Sequence, residues 1–325
     1  MGPAQESESS WVSHLTDFMT FCREHQAGFQ VTAKAVAAGI LSIAYEEHGG
    51  ADGWPCILGH GFPYDVRAYA EVAAALAEAG ARVIVPYLRG FGPTRFRSEA
   101  TPRSGQQAAI GADVPALMDA LEVSRAVLAG YDWGGRAACI AAALWPERVS
   151  GLVSCGNGYN IQNIPKATQP LPPEQEWRYW YQYYFHSERG RAGLTQNRRA
   201  LCRLLWQQFS PTWRFDDATF ERTAPSLDNP DFVEITVHSY RHRYGGIPGD
   251  PALDAIEARL AAQPAIAVPT IVLSGLDDGV EPQGAEDHAA QHFTSRYERR
   301  LIAGAGHNLP QEAPGAFAEA VLELS

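Results

Sequence analysis

The stretch "GYDWGG" at residues 130–135 places one carboxylate, Asp132, among glycines. An apolar run, "RAVLA", precedes it and a small-residue run, "RAACIAAALWPERV", follows, so it predicts a turn between a buried strand and a buried helix. An aspartate at a helix start is commonly an N-cap. A cap does not need glycine two residues away on each side, whereas Gly130 and Gly134 permit the close strand-to-helix approach of a nucleophile elbow. Asp132 is therefore the candidate nucleophile.

Strand-like and helix-like segments alternate on both sides of this turn. Short apolar runs recur as "ARVIVPYL", "VSGLVSCG" and "PTIVLSG", separated by helical patterns such as the alanine-rich "YAEVAAALAEAG". This alternation is typical of an α/β protein with a mostly parallel central sheet and helices on both faces. Residues 31–156 and 251–325 are predicted to form this core.

The alternation stops over residues 157–250. That segment is rich in tryptophan and tyrosine and has irregular helical patterns such as "EQEWRYWYQYYFHSERG". An inserted helical cap, or lid, accounts for both its composition and its position. Residues 1–30 are predicted to be an N-terminal helical extension. Its amphipathic pattern suits packing on the core or on a neighbouring subunit, so a homodimer is one of the expected arrangements.

Composition narrows the function classes. The formal net charge of −11 disfavours nucleic-acid binding. No apolar run reaches the roughly 18 residues of a membrane span, and the N-terminus lacks a secretory pattern, so a cytoplasmic protein is expected. The cysteines form no metal-ligand pattern and no cofactor is expected; most lie in apolar segments that suit buried thiols: Cys22, Cys56, Cys139, Cys155 and Cys202.

Two further motifs complete a catalytic constellation. "SGLDDGVEP" (274–282) carries two carboxylates after a predicted strand, and "GAGHNLPQEAP" (304–314) carries His307 after the last strand. The chain order nucleophile, acid, histidine is that of the α/β-hydrolase triad. Side chains after parallel strands converge on one crevice, so we expect these groups to meet there.

From about residue 38 to the C-terminus, the sequence resembles the α/β-hydrolase superfamily. The motifs "HGFP" (60–63), "YLRGFG" (87–92), "YDWGG" and "GAGHNLPQEAP" resemble those of its epoxide hydrolase and haloalkane dehalogenase branch, and most closely the epoxide hydrolases. In that branch the nucleophile is an aspartate. The resemblance implies that the acid is Asp278, with Asp277 as the alternative.

An aspartate nucleophile suits attack on a saturated carbon, because a carboxylate needs no base at neutral pH. The product is an alkyl ester of Asp132, which water activated by His307 would hydrolyse. The backbone N–H groups of Phe62 and Trp133 are the expected oxyanion donors.

The leaving group separates epoxide from halide chemistry, because an opening epoxide needs a proton. By resemblance, a Tyr-Gln pair in "YQYYF" gives Tyr181 as one donor and "HSYRHRYG" gives Tyr240 as the other. The alternatives of register are Tyr179, Tyr183 and Tyr184.

The expected activity is hydrolysis of an epoxide to a vicinal diol. A hydrolytic dehalogenase is the alternative enzyme, and a non-catalytic ligand receptor is a remoter one. The expected substrate is a small apolar epoxide or halogenated compound. Four residues are expected to line its pocket: His60, Phe62, Trp133 and Gln182. Fluoroacetate dehalogenases carry arginines one and four residues after the nucleophile, where they bind the substrate carboxylate. Only the second, Arg136, has a counterpart here, so it is expected to pair with a local acid or a helix partner, and a carboxylated substrate stays open.

Overall fold

The centre of the fold is a nine-stranded sheet, seen in a computed structural model that describes residues 32–284 and 286–325. The predicted N-terminal extension lies outside the described residues. The strands β1 to β9 are Lys34–Ala38, Leu41–His48, Trp54–Gly59, Ala81–Pro86, Arg95–Phe96, Ala126–Gly130, Val149–Cys155, Thr270–Gly275 and Tyr297–Ile302.

The sheet is parallel over most of its width. The strand order is β1-β2-β4-β3-β6-β7-β8-β9, with β5 paired to β2. The neighbouring strands along β4-β3-β6-β7-β8-β9 all pair in parallel. At the other edge, β2 pairs antiparallel with β1, β4 and β5. This confirms the predicted α/β-hydrolase fold class.

Helices cover both faces of this sheet. In chain order α1 to α12 are Ala70–Glu78, Gln107–Ala120, Asp132–Leu144, Pro173–Glu176, Trp180–Tyr184, Glu188–Gln196, Arg198–Phe209, Asp217–Thr223, Phe232–Arg243, Asp254–Ala261, Leu309–Glu312 and Pro314–Leu322. All five residues of β6 are buried, and its alternate side chains enter two separate hydrophobic clusters. A strand buried on both faces reads as a continuous apolar run, which is why β6 was recognisable from the sequence.

Residues 157–250, all of them described, contain helices α4 to α9 and short 3-10 helices but no strand. They join β7 to α10 and β8. The division into core and cap, with its boundaries, stays a prediction.

Contacts between this segment and the sheet loops fix its position over the carboxyl ends of the strands. The Trp206 indole N–H donates to the Pro63 carbonyl over 2.9 Å. The buried carboxylate of Asp65 accepts bonds from Thr223 and Ser226. Phe62 stacks on Phe232 with ring centroids 6.0 Å apart. These contacts enclose the end of the sheet where β6 meets α3.

No helix among the described residues has the length and apolar character needed to span a bilayer. The cytoplasmic location and the homodimer stay predictions. The four described cysteines are buried free thiols, and Cys22 lies outside the described residues.

Candidate active site

The turn between β6 and α3 holds Asp132 in a strained backbone conformation. Its φ angle is +50°, in the left-handed region that non-glycine residues seldom occupy. The turn is also too tight for a side chain at Gly134, where a Cβ atom would lie 2.0 Å from the carbonyl oxygen of Gly59. Strand β3 therefore passes directly against the start of α3, and the Asp132 side chain projects from the turn.

The Asp132 carboxylate has different neighbours on its two oxygens. The backbone N–H of Phe62 donates to Oδ1 over 2.7 Å, and Nε2 of His307 lies 3.6 Å from Oδ2. Asn160 donates its side-chain amide to the backbone carbonyl of Asp132 over 2.8 Å. Of the two expected oxyanion donors, Phe62 contacts the carboxylate. No hydrogen bond joins the Trp133 N–H to it in the described structure.

His307 is oriented by Asp278. Its Nδ1–H donates to Oδ2 of Asp278 over 2.9 Å. The other oxygen of Asp278 accepts the backbone N–H groups of Val280 and Glu281, which hold the carboxylate in place. Asp277 is turned away and accepts a bond from Thr212 over 3.2 Å. The structure thus brings Asp278, and not Asp277, to His307.

The charges of this constellation support one another. Burial alone would raise the pKa of Asp132, but the hydrogen bond and charge of His307, together with Arg136 and the Phe62 N–H, lower it. Burial would lower the pKa of His307, but the Asp278 charge and the bonds to both carboxylates raise it well above its usual value. Both carboxylates therefore favour an imidazolium in the resting protein.

His60 does not face the cavity beside Asp132. Its Nδ1–H donates to the Gly61 carbonyl over 3.0 Å, and its Nε2 accepts the Leu88 N–H over 3.1 Å. Burial lowers its pKa to about 4, so the ring is neutral. His60 therefore joins two loops, and its predicted contact with substrate stays a prediction.

The side chains of Phe62 and Trp133 are also absent from the cavity wall. Both are fully buried and stack with ring centroids 5.4 Å apart. Of the four residues predicted to line the substrate pocket, Gln182 lines this cavity, and the pocket roles of the other three stay predictions. The indole N–H of Trp133 is buried without a partner in the described structure.

A cavity of about 270 Å³ lies beside Asp132 and His307. Its wall is largely polar. Core residues on the wall include Asp132, Arg136, Asn160, Glu281 and His307; residues from the helical segment include Tyr179, Tyr181, Gln182, Arg243 and Tyr244. Among the residues described, no cluster of His, Cys, Asp and Glu side chains could hold a metal ion.

The register of the tyrosines is resolved in part. Tyr181 lines the cavity. Tyr240 is not among the lining residues, but its ring packs edge-on against the Tyr181 ring, with centroids 5.5 Å apart. Tyr183 bonds to Glu176 on the outer side, and the Tyr184 hydroxyl lies against Gly193. Tyr179 lines the cavity as well, so it is the alternative that still reaches the site.

Gln182 fixes the direction of the Tyr181 hydroxyl. Its Oε1 accepts bonds from the Tyr244 hydroxyl and from Arg243, which turns its amide NH₂ toward Tyr181. The NH₂ donates to the Tyr181 oxygen over 3.0 Å. Because that oxygen accepts this bond, its own proton is free to be donated elsewhere. Burial raises the pKa of Tyr181 and Tyr240, which keeps both phenols protonated.

Arg136 has no acid partner, which corrects the expectation from the sequence. It bonds to the backbone and side-chain oxygens of Asn160 over 3.2 and 3.0 Å. Arg136 is only 6% exposed. Among the described residues, no carboxylate lies within ion-pair distance of its guanidinium group. Arg243 and Glu281, both on the cavity wall, were not identified from the sequence. They lie in the quoted segments "HSYRHRYG" and "SGLDDGVEP", which were used only to locate Tyr240 and Asp278.

Comparison with known proteins gives the family. Residues 55–314 match the alpha/beta hydrolase fold family. The chain belongs to this family. It is 50% identical to a protein of Klebsiella pneumoniae named as a candidate epoxide hydrolase, whose crystal structure superposes with a TM-score of 0.88 over 90% of this chain and 97% of that one.

Curated relatives point in the same direction. Epoxide hydrolase A of Mycobacterium tuberculosis is 29% identical over 300 residues, which cover 82% of this chain and 89% of that protein. A haloalkane dehalogenase of Mycolicibacterium paratuberculosis is 33% identical over 144 residues, 44% of this chain and 46% of that protein. The chain is therefore an epoxide hydrolase-like α/β hydrolase.

Proposed function

We propose that this α/β hydrolase converts an epoxide to a vicinal diol through an ester on Asp132. The observation that carries the proposal is the shared cavity of Asp132, His307 and the Tyr181 hydroxyl. A nucleophile, a base and a proton donor are the three groups that this reaction requires.

In the first step, Oδ2 of Asp132 attacks a ring carbon while Oδ1 remains bonded to the Phe62 N–H. The carbon–oxygen bond of the ring breaks as the ester bond forms. Its electron pair goes to the ring oxygen, which takes a proton from Tyr181 or Tyr240. The lowered pKa of Asp132 keeps the nucleophile ionised at neutral pH.

In the second step, His307 removes a proton from water, and the water oxygen adds to the Asp132 carboxyl carbon. Negative charge develops on the carboxyl oxygen that faces the Phe62 N–H. The bond between this carbon and the alkyl oxygen then breaks. The leaving oxygen takes the proton from His307, and the diol departs. Asp132 keeps the oxygen that came from water, and the second proton of that water returns to the tyrosine that donated in the first step.

The ester itself makes His307 a base. Alkylation removes the negative charge of Asp132, one of the two carboxylates that raise the pKa of His307. The pKa therefore falls once the ester exists, and the neutral imidazole becomes available for the second step. Asp278 keeps the ring oriented throughout.

A dehalogenase is the second candidate, and a different observation favours it. The indole N–H of Trp133, the residue after the nucleophile, is buried without a partner in the described structure and could donate to a departing halide. Trp133 does not line the described cavity, so this role requires that the departing halide reaches the indole beyond that wall. The nucleophile and base would act as above, without a proton donor.

Replacement of the tyrosines separates the two candidates. Tyr181→Phe or Tyr240→Phe should each slow ring opening, and the double variant should lose roughly 10²- to 10⁴-fold, the usual contribution of general acid assistance. Initial rates would be measured on styrene oxide and on 1-bromobutane in parallel. Tyr183→Phe is the matched control, since its hydroxyl bonds to Glu176 outside the cavity.

Undiminished styrene oxide turnover in the double variant would exclude the tyrosines as donors. Turnover of the bromide without turnover of the epoxide would favour the dehalogenase.

A further inference from the structure

Two guanidinium groups face the cavity from opposite sides. Arg136 comes from α3, one helical turn after the nucleophile, and Arg243 ends α9 in the helical segment. Both belong to the wall that contains Asp132 and His307. Within residues 32–284 and 286–325, neither forms an ion pair with a carboxylate.

Arg136 is held in place by neutral groups. Its two bonds go to Asn160, whose side-chain amide also bonds to the backbone of Asp132. Burial and the nearby charge of Arg243 lower its pKa to about 10, so it remains a cation at neutral pH. The charges of Asp132 and Glu281 act on Arg136, but no carboxylate among the described residues forms an ion pair with it. Burying a cation without a direct ion pair is costly, and an anionic ligand would reduce that cost.

Arg243 has unused hydrogen-bond donors. Its Nε and Nη2 atoms are buried without a partner in the described structure, while Nη1 donates to Gln182 over 3.2 Å. The guanidinium also lies over the ring of Tyr240, 4.7 Å from its centroid. A guanidinium pinned in this way presents its remaining N–H groups in a fixed direction, which suits a planar anion.

The acids of the cavity balance these cations only in part, because neither acid forms an ion pair with an arginine of the described structure. The carboxylate of Asp132 already faces His307 and accepts the backbone N–H of Phe62. Glu281 accepts a bond from the Asn157 N–H over 3.3 Å, and burial together with the Asp278 charge raises its pKa. Two like charges that face one cavity repel each other unless an anion lies between them.

We propose that Arg136 and Arg243 form a carboxylate subsite, and that the substrate is a short epoxy acid whose carboxylate is attached to the ring directly or through one carbon. The inference rests on the epoxide hydrolase activity proposed above. Residues four apart on a helix have their Cβ atoms about 6 Å apart, so a carboxylate at Arg136 puts a neighbouring ring carbon within reach of Asp132. The modest cavity favours a small molecule.

Glycidate and glycidamide provide the test, because they have nearly the same shape and differ in charge. We expect the wild-type enzyme to prefer glycidate in kcat/KM by roughly 10- to 100-fold, the range of charge-assisted hydrogen bonds. Replacement of either arginine should reduce the ratio of the two kcat/KM values by a similar factor. The ratio within each variant cancels differences in folding or in active-enzyme concentration.

Two variants keep the test independent of folding. Arg136→Gln changes a buried residue that contacts Asn160, whereas Arg243→Gln changes the helical segment without touching the elbow. Arg189→Gln removes the same charge from an exposed position on α6 and should leave the ratio unchanged. Competitive inhibition by propionate, compared with propionamide, gives a binding measurement that does not depend on ring opening.

The outcomes separate the subsite from the reaction. Turnover of glycidamide and styrene oxide with no preference for glycidate would overturn the subsite and leave the epoxide activity intact. An equal loss on glycidate and glycidamide in both arginine variants would also overturn it, because the guanidinium groups would then act on the ring oxygen. The absence of turnover on every epoxide, with propionate still bound more tightly than propionamide, would overturn the proposed reaction alone.

Discussion

At the scale of residues, the site depends on two carboxylates that share one imidazole. Asp278 bonds to Nδ1 of His307, and Asp132 faces Nε2 from 3.6 Å. No protein group among the described residues bonds to that Nε2, so a water molecule or a substrate can reach it. In the proposed mechanism, the carboxylate that attacks carbon therefore also controls when the base becomes active.

This sharing leads to a prediction about titration. Asp132→Asn removes one of the charges that raise the pKa of His307, so the pKa should fall in the variant. Titration of the imidazole followed by ¹⁵N nuclear magnetic resonance would measure it. Asp277→Asn is the control and should leave the pKa of His307 in place, since that carboxylate bonds to Thr212. Equal pKa values in wild type and Asp132→Asn would contradict the coupling.

His307→Gln should separate the two chemical steps. Alkylation needs no base and should proceed, while hydrolysis of the ester should nearly stop because water is no longer activated. Intact-protein mass spectrometry should show an increase of one substrate mass. Asp278→Asn should trap less adduct, because it weakens the orientation of the histidine without removing it.

The double variant Asp132→Asn/His307→Gln is the control for that experiment and should gain no mass. Adduct formation in the double variant would assign the nucleophile to another residue.

At the scale of elements, the turn between β6 and α3 depends on close backbone contact. In Gly134→Ala the new Cβ would meet the Gly59 carbonyl oxygen at 2.0 Å, and backbone atoms cannot rotate away. We expect the free energy of unfolding to fall by about 3 kcal/mol, at the upper end of overpacking penalties, with loss of activity. Denaturant unfolding measures the change.

Gly50→Ala is the matched control, because no atom lies within 4 Å of its added Cβ. It should unfold at nearly the wild-type denaturant concentration. Equal stability of Gly134→Ala and Gly50→Ala would show that the turn is not constrained as described.

The elements that were predictable from the sequence are those fixed by local pattern. Strand β6 and the elbow could be identified because the strand is buried on both faces and its glycines are spaced around Asp132. The hydrogen bond from the Leu88 N–H to His60 could not be predicted, because Leu88 belongs to a loop that is distant in sequence. A choice between adjacent residues such as Asp277 and Asp278 depends on loop geometry that spacing alone does not determine.

The strand order was less accessible than the strands themselves. Alternating segments indicate a parallel sheet, but they do not indicate that β4 lies between β2 and β3. That order depends on which strand edges pair, which is a long-range property.

At the scale of the whole molecule, the cavity forms only where the sheet and the helical segment meet. Asp132 and Arg136 come from one side, and Tyr181, Gln182 and Arg243 from the other. The polarity of this wall could not be predicted, because Arg243 is distant from Asp132 in sequence and its segment does not indicate that it lines the cavity. Arg136 was visible in the sequence, but its lack of an acid partner became apparent only from the fold.

The central claim is that a covalent ester forms on Asp132 and that water attacks the enzyme rather than the substrate. A single turnover in H₂¹⁸O, with enzyme in excess over a styrene oxide substrate, tests it most directly. We expect the diol to carry unlabelled oxygen from the enzyme, and the peptide that contains Asp132 to gain ¹⁸O. Label that enters the diol in the first turnover and never reaches the Asp132 peptide would contradict the account.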